Sequence, residues 1–137
     1  MSKLSYAAKK GRSKAGSFLS LPHVVLNCDD YVNLSHLGIK LLIDISMQYD
    51  GKNNGNLSAT FSILKKRGWK STASLAKALK ELLAKNLIKK TRQGGRNQCC
   101  LYAVTWRPID ECGGKLDVKS TTVAPRRFIK YLVHILN

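Results

Sequence analysis

Apolar residues recur three and four positions apart in several stretches of this chain, separated by short runs rich in Gly, Asn, Ser and Pro. From Ser35 onward, Leu37, Leu41, Leu42, Ile45, Met47 and Tyr49 keep one helical face, with the Ser35 hydroxyl suited to the N-cap. The spacing predicts a core helix that stops at Asp50-Gly51, before the polar loop Lys52-Asn53-Asn54-Gly55. Asn56-Leu57 is long enough only for a first small strand. Ser58 is a second N-cap signal, opening a helix through Thr60, Phe61, Ile63 and Leu64 to Lys65-Lys66-Arg67, where Gly68 supplies a left-handed stop. The three cations then fall in the last turn, where the helix dipole favours them. After Trp69, Ser71 caps a third helix over residues 71–85. Its buried stripe is Leu75, Ala78, Leu79, Leu82 and Leu83, while Thr72, Ser74, Lys77, Lys80 and Glu81 face away.

Asn86 ends that helix, and the period changes from helical to extended. Residues 87–92 and 99–106 read as two strands joined by the loop Gln93-Gly94-Gly95-Arg96-Asn97-Gln98, a hairpin with a Gly-Gly turn. Upstream, Phe18, Leu21, Val24, Val25 and Leu26 are core candidates, and Pro22 suits the first turn of a short helix ending near Cys28. The expected fold is mainly α with a small β-hairpin (α+β). Its element order of helix, helix-turn-helix and hairpin is that of a winged helix-turn-helix. The expected organisation is a flexible basic arm (residues 1–16), the winged domain (17–106), an irregular connection (107–126) and a C-terminal amphipathic helix (127–137). The arm is either a solvated tail or a segment lying along phosphates or in a minor groove. The last helix, with Phe128, Ile129, Leu132, Val133 and Leu136 on one face, could dock on the domain's own core, contact a second copy, or lie on a membrane surface or partner.

Charge turns this fold into a functional expectation. In 137 residues, 24 Lys and Arg face 8 Asp and Glu, a net +16 that points to a polyanionic partner. The excess is local: residues 65–96 hold eleven cations against Glu81 alone, and residues 1–16 hold five with no acid. The four cysteines, Cys28, Cys99, Cys100 and Cys112, include no C-x-x-C pair, so they read as small packing residues and neither a metal site nor a disulfide is expected. No apolar run follows the cations of the first twelve residues, and none approaches the length of about 18 residues needed to span a bilayer. The expectation is a cytoplasmic protein with reduced thiols and no integral membrane association.

A helix that enters a major groove about 12 Å wide must bury one stripe and offer short polar and cationic side chains on the other. The helix at residues 71–85 meets that demand. Thr72, Ser74 and Lys77 are the candidates for base contact, and Ser71 with the free amides beside it for phosphate. Lys65, Lys66, Arg67 and Lys70 would reach the flanking backbone. The wing, residues 93–98, would bring Arg96 to the minor groove or backbone, with Arg92 and Asn97 beside it. Enzymatic readings find no support: no paired carboxylates, no phosphate loop, no nucleophile elbow and three scattered histidines, His23, His36 and His134. Asp110-Glu111-Cys112-Gly113-Gly114 reads as a capped turn. No catalytic residue, metal or cofactor is expected.

The motifs R-G-W-K-S (residues 67–71) and T-R-Q-G-G-R-N (91–97), within the stretch from Ser58 to Trp106, resemble those of small winged helix-turn-helix proteins of bacteria and their phages or integrated elements. The resemblance runs from near Ser17 to about Pro125. It implies double-stranded DNA binding by the helix and wing, in gene regulation or replication initiation of a phage or mobile element. Two alternatives stand beside it: a phage-type protein that uses this scaffold to bind and modulate a host protein, and a sequence-tolerant nucleic-acid binder. A homodimer through residues 127–137 would suit paired half-sites.

Overall fold

The computed structural model describes residues 16–128, so the basic arm and all but the first two residues of the expected C-terminal helix lie outside the described residues. The described residues form a mixed α+β structure with five α-helices and one two-stranded antiparallel sheet. Among the described residues two single-turn helices come first, α1 (His23–Leu26), with Pro22 at its N-cap, and α2 (Asp29–Val32). α1 stops before Cys28, and the separate turn α2 had no counterpart in the sequence reading.

α3 (His36–Ser46) begins as expected, with Ser35 Oγ accepting the Gly38 N–H at 3.0 Å. It ends four residues before Asp50. The following residues close tight turns, and Gln48 turns aside to pair with Ser58 by two hydrogen bonds, Nε2 to the carbonyl at 2.8 Å and Oε1 from the amide at 2.9 Å. Leu41, Leu42 and Ile45 are fully buried, whereas Leu37 and Met47, placed on the core stripe by their spacing, are each 46% exposed. Ser58, held by Gln48, is not an N-cap. The next helix, α4 (Phe61–Leu64), starts after Thr60 and tightens into a 3₁₀ turn, Lys65–Arg67, that stops at Gly68 with φ +93°.

α5 (Thr72–Ala84) is the longest element among the described residues, capped by Ser71 Oγ accepting the Ser74 N–H at 3.3 Å. Leu75, Ala78 and Leu82 are buried against α3, and Leu79 and Leu83 pack at the margin of the core. Asn86, at φ +56°, turns the chain into β1 (Ile88–Arg92), which pairs with β2 (Leu101–Val104). The register, Ile88 with Val104 and Lys90 with Tyr102, is broken by a bulge between Lys90 and Arg92. Leu57 makes a single bridge to Tyr102 in place of the small strand expected at Asn56-Leu57. Cys99 and Cys100 stand outside the ladder, and the four cysteines are free.

Residues 107–126 are irregular but tied down. Ile109 is buried, and Asp110 accepts the Asn54 amide at 2.8 Å. Asn54, fully buried, donates through Nδ2 to the carbonyls of Val104, Arg107 and Pro108 and accepts the Val104 amide. Buried polar side chains need such partners, because an unmet donor in the core costs about 1–3 kcal/mol. Farther on, Arg126 bridges to Asp30 at 2.6 Å and donates to the Lys85 carbonyl at the end of α5. This strap brings Phe128 into the core beside the first helices.

Candidate nucleic-acid interface

Successive residues of a helix advance about 100°, so burying Leu75, Ala78 and Leu82 dictates what α5 shows to solvent. The exposed face carries Thr72, Ala73, Ala76, Lys77, Lys80 and Ala84. Of the residues expected to read bases, Thr72 and Lys77 lie on that face. Ser74 lies at its edge, half-buried in a groove it shares with Ser35, His36, Leu37, Lys77 and Glu81. Lys80, expected on the outward face but not among the base-contact candidates, is more central than Ser74. The two exposed alanines of the first turns let a flat partner approach the helix backbone closely.

The turn that leads into α5 is fixed from below. Trp69 is buried, and its indole N–H donates to Asp44 Oδ2 at 2.9 Å. Lys40 Nζ reaches the same oxygen at 3.1 Å and donates to the Arg67 carbonyl at 2.7 Å, while Arg67 Nε approaches Asp44 Oδ1 at 3.4 Å. Arg67 is therefore partly a strut of the turn. Lys65, Lys66, Lys70 and Ser71 are exposed around it, and the first amides of α5 precede any intrahelical acceptor.

Glu81, the one acid among residues 65–96, does not face outward with Lys80. Its carboxylate accepts the Ser35 amide at 3.0 Å and the Ser35 hydroxyl at 2.6 Å, so it caps α3 from across the helix pair. A side chain at Gly38 would collide with Glu81 Oε1, which explains a glycine inside a core helix. Burial pushes this carboxyl up, but the Ser35 hydrogen bonds and the ammoniums of Lys85 and Lys77 outweigh it and hold it below its ordinary value. The negative charge thus sits at a helix N-terminus, and the outward face of α5 stays cationic.

The hairpin supplies the second basic surface. Its turn is built on the bridge between Gly95 and Gln98, so Arg96 and Asn97, both exposed, form the tip, with Asn97 left-handed at φ +62°. The expected Gly-Gly tip is displaced by one step. Gly94 instead lies at the neck, where a Cβ would fall 2.7 Å from the Cys100 amide nitrogen. Arg92, expected to touch DNA, is a brace: Nε and Nη2 donate to the Cys99 carbonyl at 3.3 and 2.9 Å. Lys89 and Lys90, which the strand pattern does not single out, are both exposed on β1; paired in regular register with Ala103 and Tyr102, they point to opposite faces of the two-stranded sheet. Lys90 also donates to Gln93 Oε1 at 3.1 Å.

Among the described residues, no three His, Cys, Asp or Glu side chains are grouped to hold a metal ion, and no helix is long and apolar enough to cross a membrane. Comparison of the chain with protein-family models, with curated proteins and with solved structures returned no match.

Proposed function

We propose that the protein binds double-stranded DNA, with α5 in the major groove and the tip at residues 93–98 as a wing on the adjacent backbone or minor groove. The order of α3, α4, turn, α5 and hairpin is the order of a winged helix-turn-helix, and the reading rests on that analogy together with one observation. Thr72, Lys77 and Lys80 on the outward face of α5, Lys65, Lys66 and Lys70 at its start, and Arg96 at the hairpin tip are exposed, while Glu81 is bound to Ser35. Phosphate attraction needs such unopposed cations, and release of counterions from the duplex would supply most of the affinity. A role as a transcriptional regulator or replication-associated factor of a phage or mobile element follows the resemblance noted in the sequence.

The make-up of α5 favours a second reading in the same class. At its centre the outward face offers Ala73, Ala76, Lys77 and Lys80, and α5 holds no Asn, Gln or Arg whose amide or guanidinium could grip a base edge bidentately. Sequence-tolerant binding, carried by backbone contacts, fits that composition. Selection of bound sequences from a random duplex pool separates the two. Enrichment of one site supports the regulator, a flat pool supports the tolerant binder, and no retention of any duplex overturns both.

A further inference from the structure

The outer half of the hairpin is held mainly by itself. Beyond the bulge, Arg92 clamps the Cys99 carbonyl, the Gly94 amide meets Cys100 Sγ at 3.1 Å, and Gly95 pairs with Gln98. These contacts shape the tip without aiming it. Among the described residues, the hydrogen bond that joins residues 93–98 to the chain outside the hairpin runs from the Gln93 N–H to Asp117 Oδ2, at 2.8 Å. The Asp117 amide donates in turn to the carbonyl of Thr91, the bulged residue, at 2.8 Å. Next to it Leu116 packs over Gly55, so closely that a Cβ there would lie 2.7 Å from Leu116 Cδ1. The strap therefore grips the hairpin at its neck from a point anchored on the body of the protein.

A carboxylate beside a phosphate-binding loop is opposed by electrostatics, even between the exposed Lys115 and Lys119. We propose that Asp117 is a positioning residue for duplex binding: it sets the direction of the hairpin so that Arg96 and Asn97 meet the DNA while α5 is seated. The inference rests on the duplex-binding reading above. Only the aim of the tip is assigned to the Asp117 side chain, since neither the ladder nor the Arg92 brace uses it.

A fixed negative charge and a positioning group predict opposite outcomes. Were Asp117 only a charge, Asp117→Ala and Asp117→Asn would both tighten binding to a duplex. As a positioning residue, Asp117→Ala weakens it by about fivefold or more, whereas Asp117→Asn, which keeps an acceptor for Gln93, stays within about twofold of wild type or binds more tightly. Adding Asp117→Ala to Arg96→Ala costs little further, because the two changes remove one contact. Hydrogen exchange at the Gln93 amide, read without DNA, quickens in Asp117→Ala and not in Asp117→Asn. Binding by Asp117→Ala as tight as wild type, while Arg96→Ala still weakens it, overturns the inference and leaves the duplex-binding reading standing. Absence of duplex binding by the wild-type protein removes that reading, and the proposed role of Asp117 with it.

Discussion

Trp69 Nε1 donates to Asp44 Oδ2 at 2.9 Å, joining the turn before α5 to the last turn of α3. Asp44 is 4% exposed and takes its remaining partners from Lys40 and Arg67, so one buried carboxylate gathers the helix, the 3₁₀ turn and the tryptophan. Trp69→Phe keeps most of the ring and removes the donor. Leaving a buried charged acceptor short of a partner is expected to cost about 1–3 kcal/mol. Chemical denaturation checks this: the midpoint should fall with the slope unchanged. An unchanged midpoint would mean that Lys40 and Arg67 satisfy Asp44 without Trp69.

The Glu81–Ser35 cap makes stability depend on acid. Because Glu81 titrates below its unfolded value, its contribution is fully present above the ordinary glutamate range and is lost as pH falls through the depressed folded value. Glu81→Gln should flatten the acid side of the stability profile. It should also lower stability at neutral pH by about 0.5–2 kcal/mol, the range of an N-cap loss. Unfolding curves of both proteins from neutral to acidic pH provide the comparison.

Tyr102 behaves in the opposite sense. Its phenol is pushed up to about 12, first by burial and then by Cys100 and Cys99 beside it. The unfolded tyrosine releases its proton near its ordinary value of about 10, so the contribution from keeping the phenol neutral is intact below that pH and declines as pH rises toward the folded value. Tyr102→Phe is expected to remove this alkaline loss, seen as a shallower fall of the unfolding free energy above about pH 10.

Gly38→Ala tests the close approach of α3 and α5. In an isolated helix this change would be favourable, but here the new methyl meets Glu81 Oε1. The expected result is destabilisation by about 1–3 kcal/mol, the range for overpacking. Gly38→Ala in a Glu81→Ala background should regain part of it, and simple additivity in the double variant would argue against the clash.

Much of this architecture is legible in the sequence where a local signal carries it. Ser35 and Ser71 cap the helices that follow them, Gly68 and Asn86 take the left-handed stops, and Leu75, Ala78 and Leu82 of α5 are buried. Features settled by distant partners were not legible. Ser58 has the chemistry of an N-cap, but Gln48 holds its backbone and its hydroxyl meets the Thr60 amide, and Arg92 has the chemistry of a phosphate ligand but braces Cys99. Nothing local marks Asn54 as a buried hub or Asp117 as a hairpin anchor, since each is defined by residues about 24 to more than 50 positions away. Lys89 and Lys90 escape a reading by alternation because it sends neighbouring strand residues to opposite faces, and in this two-stranded sheet both faces reach solvent at these two positions.

The central claim is that the outward face of α5 and the hairpin tip contact duplex DNA, and a salt series tests it most directly. Duplex affinity is measured for the wild-type protein, Lys77→Ala and Arg96→Ala as salt is raised. Counterion release predicts a steep linear fall of log affinity with log salt, and each variant should bind more weakly with a slope shallower by about 1. Affinities and slopes indistinguishable from wild type in both variants would contradict the account.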